Sequence, residues 1–226
     1  MSHTEATLIA GKRERQDSIP DLSPWCSSRA KRAMDVICAS ILIPAAMPVM
    51  VVITLLVKAT SHGPVLFRQK RLGKAGAEFE LLKFRTMYHR RPNAGSGLTQ
   101  SGDRRITSLG RLLRRCKLDE LPQLFNVLWG EMSLVGPRPD LPEYFEGLDA
   151  KQRRVLSLMP GITGAASLKF RNEEALLARV APDRLESFYV EELLPQKIAL
   201  DLEYARTASA TSDTAMLIRT AAAIFQ

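Results

Sequence analysis

At 226 residues, 46% hydrophobic and 25% charged, the chain has room for one domain of moderate size and is neither disordered nor collagen-like. Three scattered cysteines (Cys26, Cys38, Cys116) exclude a disulfide scaffold, the absence of a CxxC or Cys/His cluster argues against a zinc site, and reduced thiols fit a cytosolic face. The net charge of +8 is concentrated: residues 58–131 carry +9, while residues 1–35 carry +1 and residues 132–226 carry −2. Such a block faces nucleic acid, anionic lipid or a phosphorylated substrate, or is simply a solvated face.

Residues 1–32 are polar, with turn formers at Ser18, Pro20, Ser23 and Pro24, and are expected to form a mobile tail. Residues 33–60 follow as a membrane segment. Within it, Val36 to Val57 run for 22 residues without a charge, about 33 Å as a straight helix and enough to cross a bilayer core. The stretch starts too deep in the chain and is too long for a signal peptide. Pro44 and Pro48 sit near its middle and remove the hydrogen bonds to the carbonyls of Ser40 and Pro44. Three readings follow: a re-entrant hairpin, a spanning helix and a buried soluble helix. Basic residues on both flanks (Arg29, Lys31 and Arg32 before; Lys58, Arg68, Lys70, Arg71 and Lys74 after) favour the first, because the positive-inside rule places both ends in the cytoplasm. The expectation is a re-entrant helix–break–helix, broken at Pro44 and Pro48.

Residues 61–226 are expected to form a small catalytic domain, making the fold α+β and mainly helical. Val65–Arg71 and Glu78–Met87 flank a turn-rich LGKAGA and predict a β-hairpin. Lys70 and Arg71 on one strand, and Lys83 and Arg85 on the other, are expected to split between its faces. Residues 89–101 read as a loop. Leu109, Leu112, Leu113 and Cys116 then predict an amphipathic helix. Its Arg111, Arg114 and Arg115 suit an anionic membrane surface as well as plain solvent. A second helix is expected to open with Asp119 as N-cap and Glu120 in its first turn, and to stop at Gly130. In Gly136-Pro137-Arg138-Pro139, two prolines hold one arginine in place. Helices at 173–179 and 183–206 and an apolar segment at 215–225 complete the chain.

Asp119 and Glu120 are the most suggestive chemistry. Adjacent carboxylates can bind Mg²⁺ through oxygen, and an aspartate can attack phosphorus to give an acyl phosphate. The bland alternative is a capped helix and nothing more. Arg138 suits bidentate phosphate recognition, with a structural ion pair as the alternative.

The quoted segments VLFRQKRLG (65–73), KFRTM (83–87), LDELPQLFNVLWGEMSLVGPRP (118–139) and PGITG (160–164) resemble the bacterial sugar transferases, or monotopic phosphoglycosyl transferases, from about Arg29 onward. The resemblance implies transfer of a sugar-1-phosphate from a UDP-sugar to polyprenyl (undecaprenyl) phosphate with release of UMP, as the first membrane step of a surface glycan pathway. It implies Asp119 as the nucleophile of a covalent phosphosugar intermediate, Glu120 beside it with Mg²⁺ held by the pair, and Arg138 on a substrate phosphate. Lys70, Arg71, Lys83, Arg85 and Arg171 are further phosphate-binding candidates. It also implies a re-entrant anchor in the bacterial inner membrane, an anionic membrane surface as partner, and a catalytic domain on the cytoplasmic face; a homo-oligomer stays open. Two departures stand out. The break carries Met47-Pro48 where the family often has Ser-Pro, and the Trp-Ala-Gln that often follows PGITG is replaced, although Arg171-Asn172 match. A membrane-tethered nucleic-acid binder is the rival from another class. It lacks an RNP-like motif or aromatic interleaving, so no nucleic-acid partner is expected. A phosphatase-like phosphotransferase would want DxDxT spacing around Asp119, which is absent.

Overall fold

The structure is a computed structural model that describes residues 21–89 and 97–224. The first 20 residues of the expected tail, and residues 90–96 of the expected loop, lie outside the described residues. Helix α1 (Arg29–Thr60) is capped by the Ser28 hydroxyl, which accepts from Lys31 N at 3.0 Å. It is helical through Pro44 and Pro48, so the expected break is not an interruption of the helix. Both prolines lie on its exposed side.

One stripe of α1 is buried: Lys31, Asp35, Ala39, Ile43, Met50, Ile53 and Val57, at the three- and four-residue spacing of a single helix face. The opposite side is also apolar, with Ile41 64%, Val52 54% and Leu55 65% exposed. A helix that is apolar outside as well as inside has a second apolar environment to meet.

Strands β1 (Leu66–Leu72) and β2 (Glu78–Phe84) form the expected antiparallel hairpin, with Phe67 opposite Lys83 and Arg71 opposite Phe79. Helix α2 (Ser108–Arg115) follows, capped by Thr107 Oγ1, which accepts from Gly110 N. Of its expected apolar face Leu113 is buried, whereas Leu112 is 57% exposed. Next come α3 (Gln123–Trp129) and β3 (Ser133–Val135). The short helix α4 (Ala150–Arg153) leads to β4 (Gly161–Thr163), which pairs in parallel with β3. Helices α5 (Ala165–Lys169), α6 (Glu173–Leu177) and α7 (Leu185–Phe188) are short. A π-turn at Tyr189–Leu193 joins α7 to α8 (Leu194–Thr207), and α9 (Ala210–Ile224) closes the described chain.

Both halves of α1 are part of this domain's core. Ala39 and Ile43, before the first proline and at its edge, pack with Leu81, Leu124, Val127 and Met216. Met50, Ile53 and Val57, after the second, pack with Phe84 and Leu113. Polar ties reinforce the N-terminal end. Asp213, buried, accepts from Lys31 Nζ at 2.6 Å, Trp25 Nε1 at 2.9 Å and Tyr204 OH at 2.6 Å. Asp35 accepts from Leu134 N, and Arg32 donates to the last carbonyls of α3, Val127 O and Leu128 O. Residues 21–32 are therefore held against the domain. Lys31 and Arg32, counted above among the basic flanks for the positive-inside rule, are engaged within the protein.

Candidate active site

Lys117 ends the α2 segment in the left-handed region (φ 55°) and turns the chain into a 3₁₀ turn at Leu118–Glu120, followed by α3. Asp119 and Glu120 thus lie within this turn rather than capping α3, whose first residue is Gln123. Pro122 accounts for the offset through its missing N–H, which cannot bond back to Leu118 and carry a helix through the turn; Leu121 before it keeps helical dihedrals (φ −52°, ψ −37°). Both carboxylates are buried, yet both line a cavity of about 1350 Å³.

The two carboxylates differ in company. Glu120 Oε1 accepts from Lys83 Nζ at 2.9 Å and Arg138 Nη2 at 2.5 Å, and Arg138 Nη1 reaches Oε2 at 3.3 Å. Burial opposes its charge, but Arg138 and Lys83 outweigh burial and hold the carboxyl well below the usual carboxylate range. Asp119 Oδ1 is buried with no hydrogen-bond partner. Burial, then the charge of Glu120, push the Asp119 carboxyl up, while Lys83, Arg114 and Lys117 pull it down. One carboxylate is spent as an anchor for two cations; the other has an oxygen in reserve.

The loop that carries Arg138 is fixed by backbone contact. Gly161 N donates to Pro137 O at 2.8 Å and Gly136 N to Thr163 O at 2.9 Å. A Cβ on Gly136 would overlap the Met159 carbonyl, and one on Gly161 would overlap Gly136 N. The glycines of GPRP and PGITG are therefore required by the close approach of the two segments.

The other candidates divide. Arg71 and Lys83 share the hairpin face that lines the cavity, together with Phe67 and Gln69. Lys70 is on the other face, 75% exposed along its side chain, paired with Glu78 at 3.1 Å and outside the cavity. Lys70 and Arg71 split as expected. Lys83 and Arg85 do not, being two residues apart and both on the cavity side. Arg85 is nevertheless engaged elsewhere: its guanidinium donates to the Pro64 carbonyl and, at 2.8 Å, to Ser61 O and Oγ, which clamps the end of α1 to the strand. Arg171 lines the cavity.

A buried network behind Arg71 was not anticipated. Asp140 lies 3.5 Å from the Arg71 guanidinium and accepts from Tyr189 OH at 2.8 Å. Lys197 donates to Tyr189 OH at 2.8 Å and to Glu173 at 3.0 Å. The available signals were Asp140 directly after GPRP and a lone lysine, Lys197, in the apolar stripe Leu194, Ile198, Ala205. Arg114, Arg115 and Lys117 also line the cavity. Arg114 ties Thr86 Oγ1 to Glu174.

These cations, a reserved carboxylate oxygen and an apolar helix on the same cavity match the quoted sequence run, and the sequence model of the Bacterial sugar transferase family matches residues 26–226. The chain belongs to the bacterial sugar transferase family. A UDP-glucose:undecaprenyl-phosphate glucose-1-phosphate transferase of Caulobacter vibrioides is 39% identical over 193 residues, 84% of this chain and 67% of that protein. An undecaprenyl-phosphate glucose phosphotransferase of Komagataeibacter xylinus is 37% identical over 206 residues, 88% of this chain but 36% of that protein. The exopolysaccharide production protein ExoY of Rhizobium meliloti is 37% identical over 169 residues, 68% of this chain and 75% of that protein. The chain thus spans about two thirds of the first of these sugar transferases and little more than a third of the second.

Proposed function

We propose that this sugar transferase moves a sugar-1-phosphate from a UDP-sugar to polyprenyl phosphate and releases UMP, at the cytoplasmic face of the bacterial inner membrane. The observation that carries the reading is the unpartnered, buried Asp119 Oδ1 beside a Glu120 already neutralised by Lys83 and Arg138. In the first step an Asp119 oxygen forms a bond to the sugar-bearing phosphorus, and the bond from that phosphorus to the bridging oxygen breaks, so that UMP departs with the electron pair. In the second step a phosphate oxygen of the lipid attacks the same phosphorus and the Asp119 carboxylate leaves. Lys83 and Arg138, fixed before substrate arrives, stabilise charge developing on the leaving UMP without reorganising. Glu120 holds them in place rather than acting as a base, since its protonation is opposed by both cations.

Magnesium fits as an ion shared with substrate. Among the described residues no group of three or more His, Cys, Asp or Glu side chains can hold a metal by itself. Asp119 Oδ1 offers one free oxygen, and Mg²⁺ takes one or two carboxylates plus substrate phosphates. Bound there, it would supply further neutralisation of the diphosphate.

The anchor reading rests on α1. Its two halves pack on one domain, so both ends belong to one side of the membrane, and its outward apolar face supplies the surface for lipid. Pro44 and Pro48 lie on that outer face, where missing hydrogen bonds let a helix bow around the body behind it.

The test is to supply the purified protein with Mg²⁺ and each of a panel of UDP-sugars without lipid. One UDP-sugar should give up to one equivalent of UMP and a protein-bound sugar phosphate, and undecaprenyl phosphate should then accept it. Asp119→Asn, of equal size but a far weaker nucleophile, should abolish release and adduct together. UMP release that requires the lipid, or an adduct in the Asn variant, would replace Asp119 attack with direct attack by the lipid phosphate.

A further inference from the structure

Tyr189 and Lys197 are eight positions apart, yet the Lys197 ammonium lies 4.9 Å from the centre of the Tyr189 ring and 2.8 Å from its hydroxyl. At about 3.6 residues per turn, an α-helix brings residues seven apart into line and leaves residues eight apart nearly a quarter turn out. The π-turn at Tyr189–Leu193 takes up the extra residue and puts the two side chains together. Pro195, which cannot bond back to the Glu191 carbonyl, stands just after it. Such turns inside helices are frequent at functional sites.

The contact orients the hydroxyl. A lysine ammonium only donates, so the Tyr189 oxygen accepts from Lys197 and its proton goes to Asp140 Oδ2 at 2.8 Å. Glu173 completes Lys197 at 3.0 Å. Asp140 is tied to β1 twice: its carbonyl accepts from Leu72 N at 3.3 Å, and its Oδ1 stands 3.5 Å from the Arg71 guanidinium. Tyr189, Lys197 and Asp140 are all buried, and Tyr189 packs in the apolar cluster of Leu177, Leu193 and Ile198. Charge is costly there, and apolar side chains of similar size would hold α8 at least as well.

This chain of bonds ends on an arginine with donors to spare. Arg71 donates to Gln69 at 2.7 Å, its Nε is buried without a partner, and the residue lines the cavity. Burial pulls its guanidinium below the usual arginine range, Asp140 works against that, and the charge of Arg138 adds to it. Two arginines thus stand within reach of each other's charge, each backed by a buried carboxylate, Glu120 for Arg138 and Asp140 for Arg71. The pairing suits the two phosphates of a nucleoside diphosphate. On the reading of function given above, which this inference rests on, that ligand is the UDP-sugar. We propose that Tyr189 and Lys197 are positioning residues for the transfer: they fix Asp140, and Asp140 aims the Arg71 guanidinium at the diphosphate. Without the Tyr189 hydroxyl, Lys197, 3.8 Å from Asp140 Oδ2, draws the carboxylate away from Arg71.

Titration calorimetry of UDP with Mg²⁺ on the full chain in nanodiscs tests this without turnover. Tyr189→Phe should weaken UDP about tenfold, the effect of one misdirected hydrogen bond to a charged group. Because Tyr189 acts through Arg71, that loss should vanish in an Arg71→Met background, the double variant binding UDP no more weakly than Arg71→Met alone. Asp140→Asn keeps the shape and an acceptor for Tyr189. It should repeat both results, and it carries the test if the Phe variant does not fold. Unchanged or tighter UDP binding in Tyr189→Phe, losses that add in the double variant, or failure of both single variants to fold would overturn the proposal, because each is what a merely structural network gives. A wild type that turns over a UDP-sugar while the losses add loses the positioning role alone. One that binds UDP with non-additive losses but turns over no UDP-sugar keeps the positioning role and loses the reaction, and one that binds no UDP loses both.

Discussion

Glu120 is held by two cations at the edge of the cavity. It sits between two cations whose side chains are 20% and 31% exposed, each close enough to repel the other if the carboxylate were absent. In Glu120→Gln the shape is kept and the counter-charge lost. The destabilisation should fall toward the lower end of the roughly 3–5 kcal/mol seen when one partner of a buried pair is removed, because both cations retain some contact with the cavity. A diphosphate would then replace the missing charge. Thermal unfolding should show a lower Tm for the variant, and a larger rise on adding UDP and Mg²⁺ than the wild type shows. Equal Tm values and equal responses to UDP would mean that Glu120 is not the counter-charge. At this scale the sequence was informative where one segment carried the chemistry: the run 118–139 contains Asp119, Glu120 and Arg138 together. It was silent where contacts join distant segments. The network of Asp140, Glu173, Tyr189 and Lys197 draws on four stretches with no shared motif, and nothing near Arg85 announces that its partners are Ser61 and Pro64.

Elements add a constraint that single residues do not show. Alternation along the hairpin separates Lys70 from Arg71, but it cannot say which one faces the site. One face carries Phe79 and Leu81 and the other Leu82 and Phe84, all four buried, so neither face reads as the solvent side. Helix α8 poses a similar problem, with Lys197 and Asp201 one turn apart and both buried. Asp201 accepts from Ala166 N, the start of α5, at 2.9 Å. Burial pushes its carboxyl up to about 7, against the opposing pull of the Ala166 N–H and Lys197. In the unfolded chain the same group titrates near 4. Between these values the folded protein holds a proton that the unfolded chain has lost, so stability declines as pH rises through the window, by at most about 1.4 kcal/mol per pH unit, and levels off above it. Asp201→Asn is neutral throughout and keeps an acceptor for Ala166 N. Relative to the wild type it should gain Tm steadily from pH 5 to pH 7 and no further above. Parallel Tm curves for the two proteins would show that Asp201 is charged in the folded state throughout.

At the scale of the whole molecule the apolar segment is a helix packed along one domain. Composition made it long enough to span, and two prolines together with basic flanks argued for re-entry, yet two of those flanking charges, Lys31 and Arg32, are engaged inside the protein. The stronger argument is tertiary. Residues on both sides of the prolines enter the core of one domain, the N-terminal end is tied to α9 through Lys31 and Asp213, and the C-terminal end is tied to β2 through Ser61 and Arg85. A spanning α1 would place these two ties on opposite sides of a hydrocarbon core roughly 30 Å thick, and one domain bonded to both ends cannot do that without itself crossing the bilayer. Cysteine accessibility measures the outcome. Ser28 and Ser61 are poor probe positions, since one caps α1 and the other receives Arg85. Ser27 and His62 are exposed neighbours. With Cys26, Cys38 and Cys116 replaced by alanine, Ser27→Cys and His62→Cys should both react with an impermeant maleimide in inside-out vesicles, and neither should react in intact spheroplasts until detergent is added. Reaction of one position in each preparation would establish a span, and the packing of α1 along the domain would then have to be rebuilt in the membrane.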